Sequence, residues 1–559
     1  MSWKIEEKYR RILEGEEGTV IKNRGGRLSV CLVYANRYAT AMSNLGFQVV
    51  YSLFNGFADV VCERAFLPDA ADMKEYEKTG LPLLSLESRI PVSDFDVVAF
   101  SVSFENDYLN IPAIFALSRI PSFARDRGTS SPLVIAGGAA LFLNPEPIAD
   151  LMDIVCVGEA EVILPAFVEL LRGDQGDDRG ELLSRASRVP GLYVPSLYAV
   201  SHDGRRVMAI SASRGAPDRV TRTWDRDPDG PVASSRLFTT DTEFADMYLM
   251  EVSRGCPRGC RFCAAAFIYQ PYRPRPIEML REEAERGLAL KEKLGLVGAA
   301  VSDHRNLGEL CRFIAARGGK VSVSSLRIDA LDRDLLDILN AGGHKTVALA
   351  PEGGSQRLRD LIRKGINEDQ ILRACDILIG GDILNLKLYF IIGLPTETMA
   401  DLEEMLGLVV KIRERVIAAA RKNRRLGAIF LSVNPFIPKP FTPFQWRGME
   451  PVSSLEKKYA YLRRAFGKMS NVRIHLESIR ESYLQALLSR GDRRLAALLV
   501  RAAASGGFRR AARELSIDTD FLVYRDIPLD EVLPWDIIDS GDRESLVMEY
   551  QKAFGPWPD

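Results

Sequence analysis

The chain has 559 residues, too many for one hydrophobic core, so three or four domains are expected. It is 47% hydrophobic and 27% charged with a net charge of −1, which gives no overall electrostatic signal for nucleic acid or an anionic membrane. No apolar run is long enough to span a bilayer, the charged start "MSWKIEEKYRRILEGEEG" lacks the apolar segment of a signal peptide, and eight cysteines are too sparse for a secreted disulfide framework; a cytoplasmic protein is expected.

Residues 1–27 read as a helical lead. Over 28–175 short β-branched runs alternate with helical stretches: "RLSVCLVYA", "DVVAFSVSF", "SPLVIAGG" and "MDIVCVGEAE" as strands, "ATAMSNLGFQVVYSLFN" and "VILPAFVELLRG" as helices. Continuous apolar strands joined by helices predict an α/β, doubly wound (Rossmann-like) parallel sheet, whose ligands lie beyond the C-terminal strand ends. Small residues stand at those ends: Ser101, Ser103, Gly137, Gly138 and Gly158. Residues 176–245 read as a linker, charged and Gly-rich at first ("RGDQGDDRGELLSRASR"), then extended chain crossing between domains.

From 246 to 450 the strand–helix rhythm restarts, with six βα-type units, enough for a partial (β/α)6 barrel but short of a closed eight-fold one. Residues 451–559 read as a mainly helical C-terminal domain. Directly after the first barrel strand comes "RGCPRGCRFC", with Cys256, Cys260 and Cys263 and no fourth cysteine nearby. A four-iron cluster normally takes one thiolate per iron, so three ligands leave one iron open, and an open metal position signals chemistry. Gly255 and Gly259 let the backbone fold tightly around such a cluster. A zinc site would need a fourth ligand, for which His304 on another strand is the nearest candidate.

The spacing CxxxCxxC, with Phe262 before the last cysteine, resembles the radical S-adenosylmethionine (SAM) superfamily. The resemblance implies a [4Fe–4S] cluster whose open iron is chelated by the amino and carboxylate groups of SAM. One electron, from an external flavodoxin- or ferredoxin-type donor, then cleaves SAM to a 5′-deoxyadenosyl radical that abstracts a substrate hydrogen. It also implies SAM contacts at the barrel's strand ends: Ser302 or Asp303 in "VSDH", Ser325 and Arg327 in "SSLRID", Glu352 and Ser355 in "APEGGS", and Gly393 in "GLPTET" near the adenine. Each of these also reads as a helix cap or turn residue. The family's usual Gly-Gly-Glu after the second strand is replaced by "VSDH".

A doubly wound domain ahead of this barrel resembles the cobalamin-binding subgroup. "AMSNLGFQVVY", "PLVIAGGAALFLNPEPIADLMD", "PEGGSQRLRDLIRKGI", "PFIPKPFTPFQW" and "LPWDIIDSG" resemble an uncharacterised subfamily over nearly the whole chain. No histidine precedes His202, so cobalamin would be held without an imidazole from this domain, with Ser101, Ser103, Gly137, Gly138 and Gly158 around it. The rival family is the methylthiotransferases, which need three more cysteines here. Cys31, Cys62 and Cys156 are too widely spaced, and Cys31 and Cys156 read as small hydrophobes within strands. Cys311 and Cys375 read as buried packing. Tyr269, Tyr272 and Arg273 either line a substrate pocket or pack the cysteine loop.

Two basic stretches, 421–425 and the run Arg490, Arg493, Arg494, Arg501, Arg509, Arg510 and Arg513, read as solvated or interdomain-paired helix faces rather than an RNA surface. The expectation is a radical SAM transferase, working anaerobically and using cobalamin to move a methyl group onto a small molecule or RNA. The alternatives are a cobalamin-independent radical enzyme, a methylthiotransferase-like modifier, and a non-catalytic iron–sulfur redox protein.

Overall fold

Apolar strand runs flanked by helices place five parallel strands at the centre of the first domain. They are β1 (Leu28–Tyr34), β2 (Val60–Phe66), β3 (Val97–Ser101), β4 (Leu133–Gly137) and β5 (Ile154–Cys156), and the antiparallel β6 (Leu192–Tyr193) closes the edge. The structure, a computed structural model, describes residues 2–173, 178–213, 215–227, 229–323, 326–539, 541 and 543–557. The strand order is β2-β1-β3-β4-β5-β6, so the winding reverses between β1 and β3, the crevice where doubly wound sheets bind ligands.

β2 is absent from the sequence reading because Glu63 and Arg64 interrupt its apolar run. Arg64 is nevertheless fully buried, paired with Glu16 at 2.6 Å and Glu87 at 2.7 Å. Burying a cation is tolerable only with such partners, and Glu16 thereby ties the N-terminal lead to the sheet.

The second parallel system has two sheets. One joins β7 (Met247–Glu251), β8 (Lys293–Val297) and β9 (Lys320–Val323); the other joins β10 (Thr346–Glu352), β11 (Asn385–Ile392), β12 (Ile429–Pro435) and β13 (Val472–Leu476). The six anticipated strands are present, and β13 adds a seventh from the stretch read as helical. Its "VRIHL" alternates polar and apolar residues, with Arg473 and His475 exposed, a five-residue strand pattern inside a stretch otherwise rich in helix formers.

The stretch 176–245 is more structured than extended chain. Residues Arg179–Ala186 are helical, Tyr198–His202 and Val207–Ala212 form a hairpin, and Val220–Thr221 pairs in parallel with Ile538–Asp539 near the C-terminus. The C-terminal helices clamp the two sheet systems together. Lys439 and Ser489 meet the buried Glu105, Asn144 donates to the Ser489 and Gly491 carbonyls, and Arg493 pairs with Glu146 at 2.9 Å. Among the described residues no helix is long and apolar enough to cross a membrane.

The basic run is largely consumed by these contacts. Arg490 is buried with its guanidinium donating to the Val523 and Arg525 carbonyls, and burial pushes its pKa down to about 9. Arg494 pairs with Asp492, and Arg501 and Arg510 with Glu514.

Candidate active site

The cysteine loop leaves β7 and returns through a two-residue antiparallel bridge, Ser253 with Pro274 and Arg254 with Arg273. Gly255 has φ +83°, and a Cβ there would stand 2.4 Å from the Tyr269 carbonyl, so only glycine lets the loop close. Gln270 braces the turn by donating to the carbonyls of Cys256 and Ala266, both at 2.7 Å. Arg261 is buried between the cysteines; its backbone N–H donates to the Ile362 carbonyl, and its side chain reaches the Leu361 carbonyl and Glu549. Phe262 packs on the apolar cluster of Leu358, Ile362, Leu394, Phe436 and Phe444, which anchors the loop to the barrel end.

The three cysteines are free thiols, Cys260 buried and the other two half-buried. Burial pushes Cys263 up to about 11 and also raises Cys260, against the cations of Lys364 and Arg327, which pull Cys260 down. Metal coordination would hold them as thiolates. Among the described residues no three His, Cys, Asp or Glu side chains converge on a single-ion position. Thiolates of a cubic cluster bind different irons and need no such convergence. His304 is not poised as a fourth ligand, because its Nε2 bonds to the Arg275 carbonyl and its Nδ1 accepts from the Asn306 N–H.

Ser302, Asp303 and Arg327 come together beside the loop. The Arg327 N–H donates to Ser302 Oγ at 3.1 Å, and Asp303 accepts from Arg258 Nε at 2.8 Å. Asp303 Oδ2 and Arg327 Nε face each other across 3.8 Å, too far for a hydrogen bond, and each is buried without a hydrogen-bond partner. Tyr272 Oη and Ser253 Oγ are buried nearby and face each other. Orphaned donors and acceptors clustered at the strand ends are what a polar ligand would satisfy. Glu352 stands at a bulge with φ +64°, its carboxylate 3.3 Å from Lys364 Nζ.

Two further expected contacts are engaged within the chain. Ser355 is fully buried: its hydroxyl donates to Asp401 at 2.5 Å and accepts from the Leu358 N–H, capping the helix Gln356–Leu361. Gly393 is closed in by Glu450 and Leu455, within 3 Å of where a Cβ would stand, and its N–H donates to Glu397. Ser325 lies outside the described residues.

Beyond the first sheet's C-terminal edge lies a cavity of about 640 Å³, lined by all five of Ser101, Ser103, Gly137, Gly138 and Gly158. Its floor is apolar, from Leu32, Val50, Phe54, Ala99 and Leu164. Its far wall belongs to the barrel and runs through Leu249, Glu251 and Ser322 to Ser253, Arg254 and Gly255, the residues leading into Cys256. Gly138 (φ +121°) and Gly158 are also required by their own chain, since a Cβ would meet the Val102 and Thr223 carbonyls at 2.3 Å.

Residues absent from the sequence reading complete the wall. Asn44 bonds Ser103 Oγ at 2.9 Å, and Arg254 joins Glu159, Glu161 and Glu251 at 2.8–2.9 Å, bridging the first domain to the cysteine loop. The Arg254 signal was there to read, as the cation flanking the first cysteine, but two of its three acidic partners, Glu159 and Glu161, are nearly a hundred residues away. Tyr269 lines the cavity, whereas Arg273 is engaged with Glu159 and lies over the Trp224 ring.

Comparison with known proteins gives the same outline. Residues 46–195 match the model for the N-terminal region of radical SAM proteins, and residues 250–409 match that of the radical SAM superfamily. An uncharacterised protein of Methanocaldococcus jannaschii is 30% identical over 473 residues, covering 84% of this chain and 90% of that protein. An anaerobic magnesium-protoporphyrin IX monomethyl ester cyclase of Rubrivivax gelatinosus is 26% identical over 52% of this chain, which spans about half (51%) of the cyclase's length. A solved structure of the cobalamin-dependent radical SAM enzyme OxsB, with aqua-cobalamin and SAM bound, aligns at 14% identity with a TM-score of 0.45, covering 68% of this chain and 52% of that one. On the matched models and the full-length relative, the chain belongs to the radical SAM superfamily.

Proposed function

We propose that the protein is a cobalamin-dependent radical SAM enzyme that transfers a methyl group to an unactivated carbon. Cys256, Cys260 and Cys263 would hold the [4Fe–4S] cluster. Asp303 and Arg327, which also pair with Arg258 and Asp329, offer an anion and a cation of the right charge for the ammonium and carboxylate of SAM, with Ser302 and Glu352 beside them. When bound, the cluster and SAM supply a carbon-centred radical, and cobalamin supplies a transferable methyl group. The chain's own part is to orient those groups, keep water from the mouth and hold the two sheet systems in register through Arg254. An external low-potential electron donor completes the requirement, and the free cysteines suit a reducing compartment such as the cytoplasm.

The observation that carries the cobalamin reading is the shared cavity. Five small residues at the first sheet's strand ends line one space with the backbone leading into Cys256. Among the described residues no histidine lines it, so the corrin would be held by shape and hydrogen bonds alone. The test is anaerobic reconstitution with iron, sulfide and hydroxocobalamin, followed by gel filtration. Corrin absorption that co-elutes near one equivalent is expected; its complete loss on the column would leave a cobalamin-independent radical enzyme.

A further inference from the structure

Three of the four strands of the second barrel sheet alternate strictly, the exception being β12, where Leu431, Ser432 and Val433 are all buried. On β11, Leu386, Leu388, Phe390 and Ile392 are buried against the flanking helices, while Asn385, Lys387, Tyr389 and Ile391 face the other way and stay half-exposed. The pairing register extends that second set across the sheet. Ala348, Lys387, Phe430 and Arg473 form one rung, and Tyr389, Ser432 and His475 form the next toward the mouth.

This face carries two cations, each beside an aromatic ring. Lys387 Nζ lies 4.8 Å from the centre of the Tyr389 ring, and Arg473 lies 5.7 Å from that of Phe430. Among the described residues neither cation has a carboxylate partner, whereas Arg258 and Arg261 of the cysteine loop and Arg493 of the C-terminal clamp pair with acids. At the ends of the flanking strands, Glu352 pairs with Lys364 and Glu477 with His475. Ala348 and Ala350 leave room opposite the long side chains. Two unpaired cations, each beside an aromatic ring, suit an anionic group attached to a flat apolar body, through charge-assisted hydrogen bonds and ring stacking.

We propose that this face is the substrate site, for a small molecule carrying a carboxylate or phosphate on a planar unsaturated framework. The proposal rests on the radical-enzyme reading, because the barrel mouth is then where the substrate reacts. Strand geometry adds a length requirement. Lys387 lies five residues below the end of β11, about 17 Å at roughly 3.3 Å per residue. A substrate anchored at Lys387 and Arg473 therefore extends on the order of 15 Å to present its reacting carbon at the mouth.

The test uses the full-length protein and two fluorescent probes, pyrene-1-carboxylate and the neutral pyrenemethanol, titrated by anisotropy. The wild type is expected to bind the carboxylate about tenfold more tightly than the alcohol, equivalent to ~1.4 kcal/mol. Lys387→Gln/Arg473→Gln should abolish that preference and leave alcohol binding unchanged, while Phe430→Ala should weaken both. If the double variant fails to fold, each single substitution should lower the preference about threefold, about 0.7 kcal/mol. Equal binding of both probes by the wild type, or a preference that survives removal of the cations, overturns the proposal. The titration needs no iron, SAM or turnover, so its outcome is separate from that of the radical-enzyme reading.

Discussion

Ser355 stands where a polar contact to SAM is expected, one residue past the Gly-Gly of "APEGGS", yet both sides of its hydroxyl are taken within the chain. Changing it to Ala should therefore cost about 1–2 kcal/mol in urea unfolding, the ordinary effect of losing a helix cap and a buried acceptor's partner. The KM for SAM should be unchanged; a several-fold rise would return the residue to the cofactor. Sequence could not separate these roles, since a serine ahead of a helix is equally a cap and a ligand. Asp303 and Arg327 carry the opposite signature, with buried polar atoms left over. Their leftover valence depends on a side-chain gap of 3.8 Å between residues on different elements, which no spacing in the sequence encodes.

At the scale of elements, the last helix (Arg543–Phe554) covers the cysteine loop. Glu549 reaches Arg261 and Arg363 at 3.2–3.3 Å, and Phe554 packs into the cluster that holds Phe262. Glu549→Gln should change stability by under about 1 kcal/mol, as partly exposed pairs do. It should nonetheless speed the bleaching of the reconstituted iron–sulfur absorption in air by loosening the cover; an unchanged bleaching rate would make the helix a bystander. That helix was legible only as a helix, because its partner in the loop lies 288 residues away. The apolar, strongly periodic strands were legible in type and order. β2 and β13 were not, since Arg64 is buried by pairing with distant acids and Glu63 by accepting from Ser88, and β13 is a five-residue strand with Arg473 and His475 exposed. The alternation in "NLKLYFII" did hold the signal for that face, with Lys387 and Tyr389 at period two inside an otherwise apolar barrel strand.

For the whole molecule, the arrangement is two parallel sheet systems facing one cavity and locked by the C-terminal helices. The basic run Arg490, Arg493 and Arg494 belongs to that lock, through the Val523 and Arg525 carbonyls, Glu146 and Asp492. The cysteine spacing and its position after the first barrel strand were enough to point to the chemistry, because both are local. The assembly of the cavity was not local. It depends on Arg254 binding acids from the first domain and on Lys439 meeting Glu105 across 334 residues. The most direct measurement is reductive SAM cleavage. Protein reconstituted with iron and sulfide is mixed anaerobically with dithionite and SAM, and 5′-deoxyadenosine is quantified by chromatography. The account predicts deoxyadenosine formation by the wild type and a loss of at least about a hundredfold, ~2.7 kcal/mol, when Cys256, Cys260 or Cys263 is changed to Ala. Absence of deoxyadenosine from protein carrying a full cluster, or equal amounts from the cysteine variants, would contradict it.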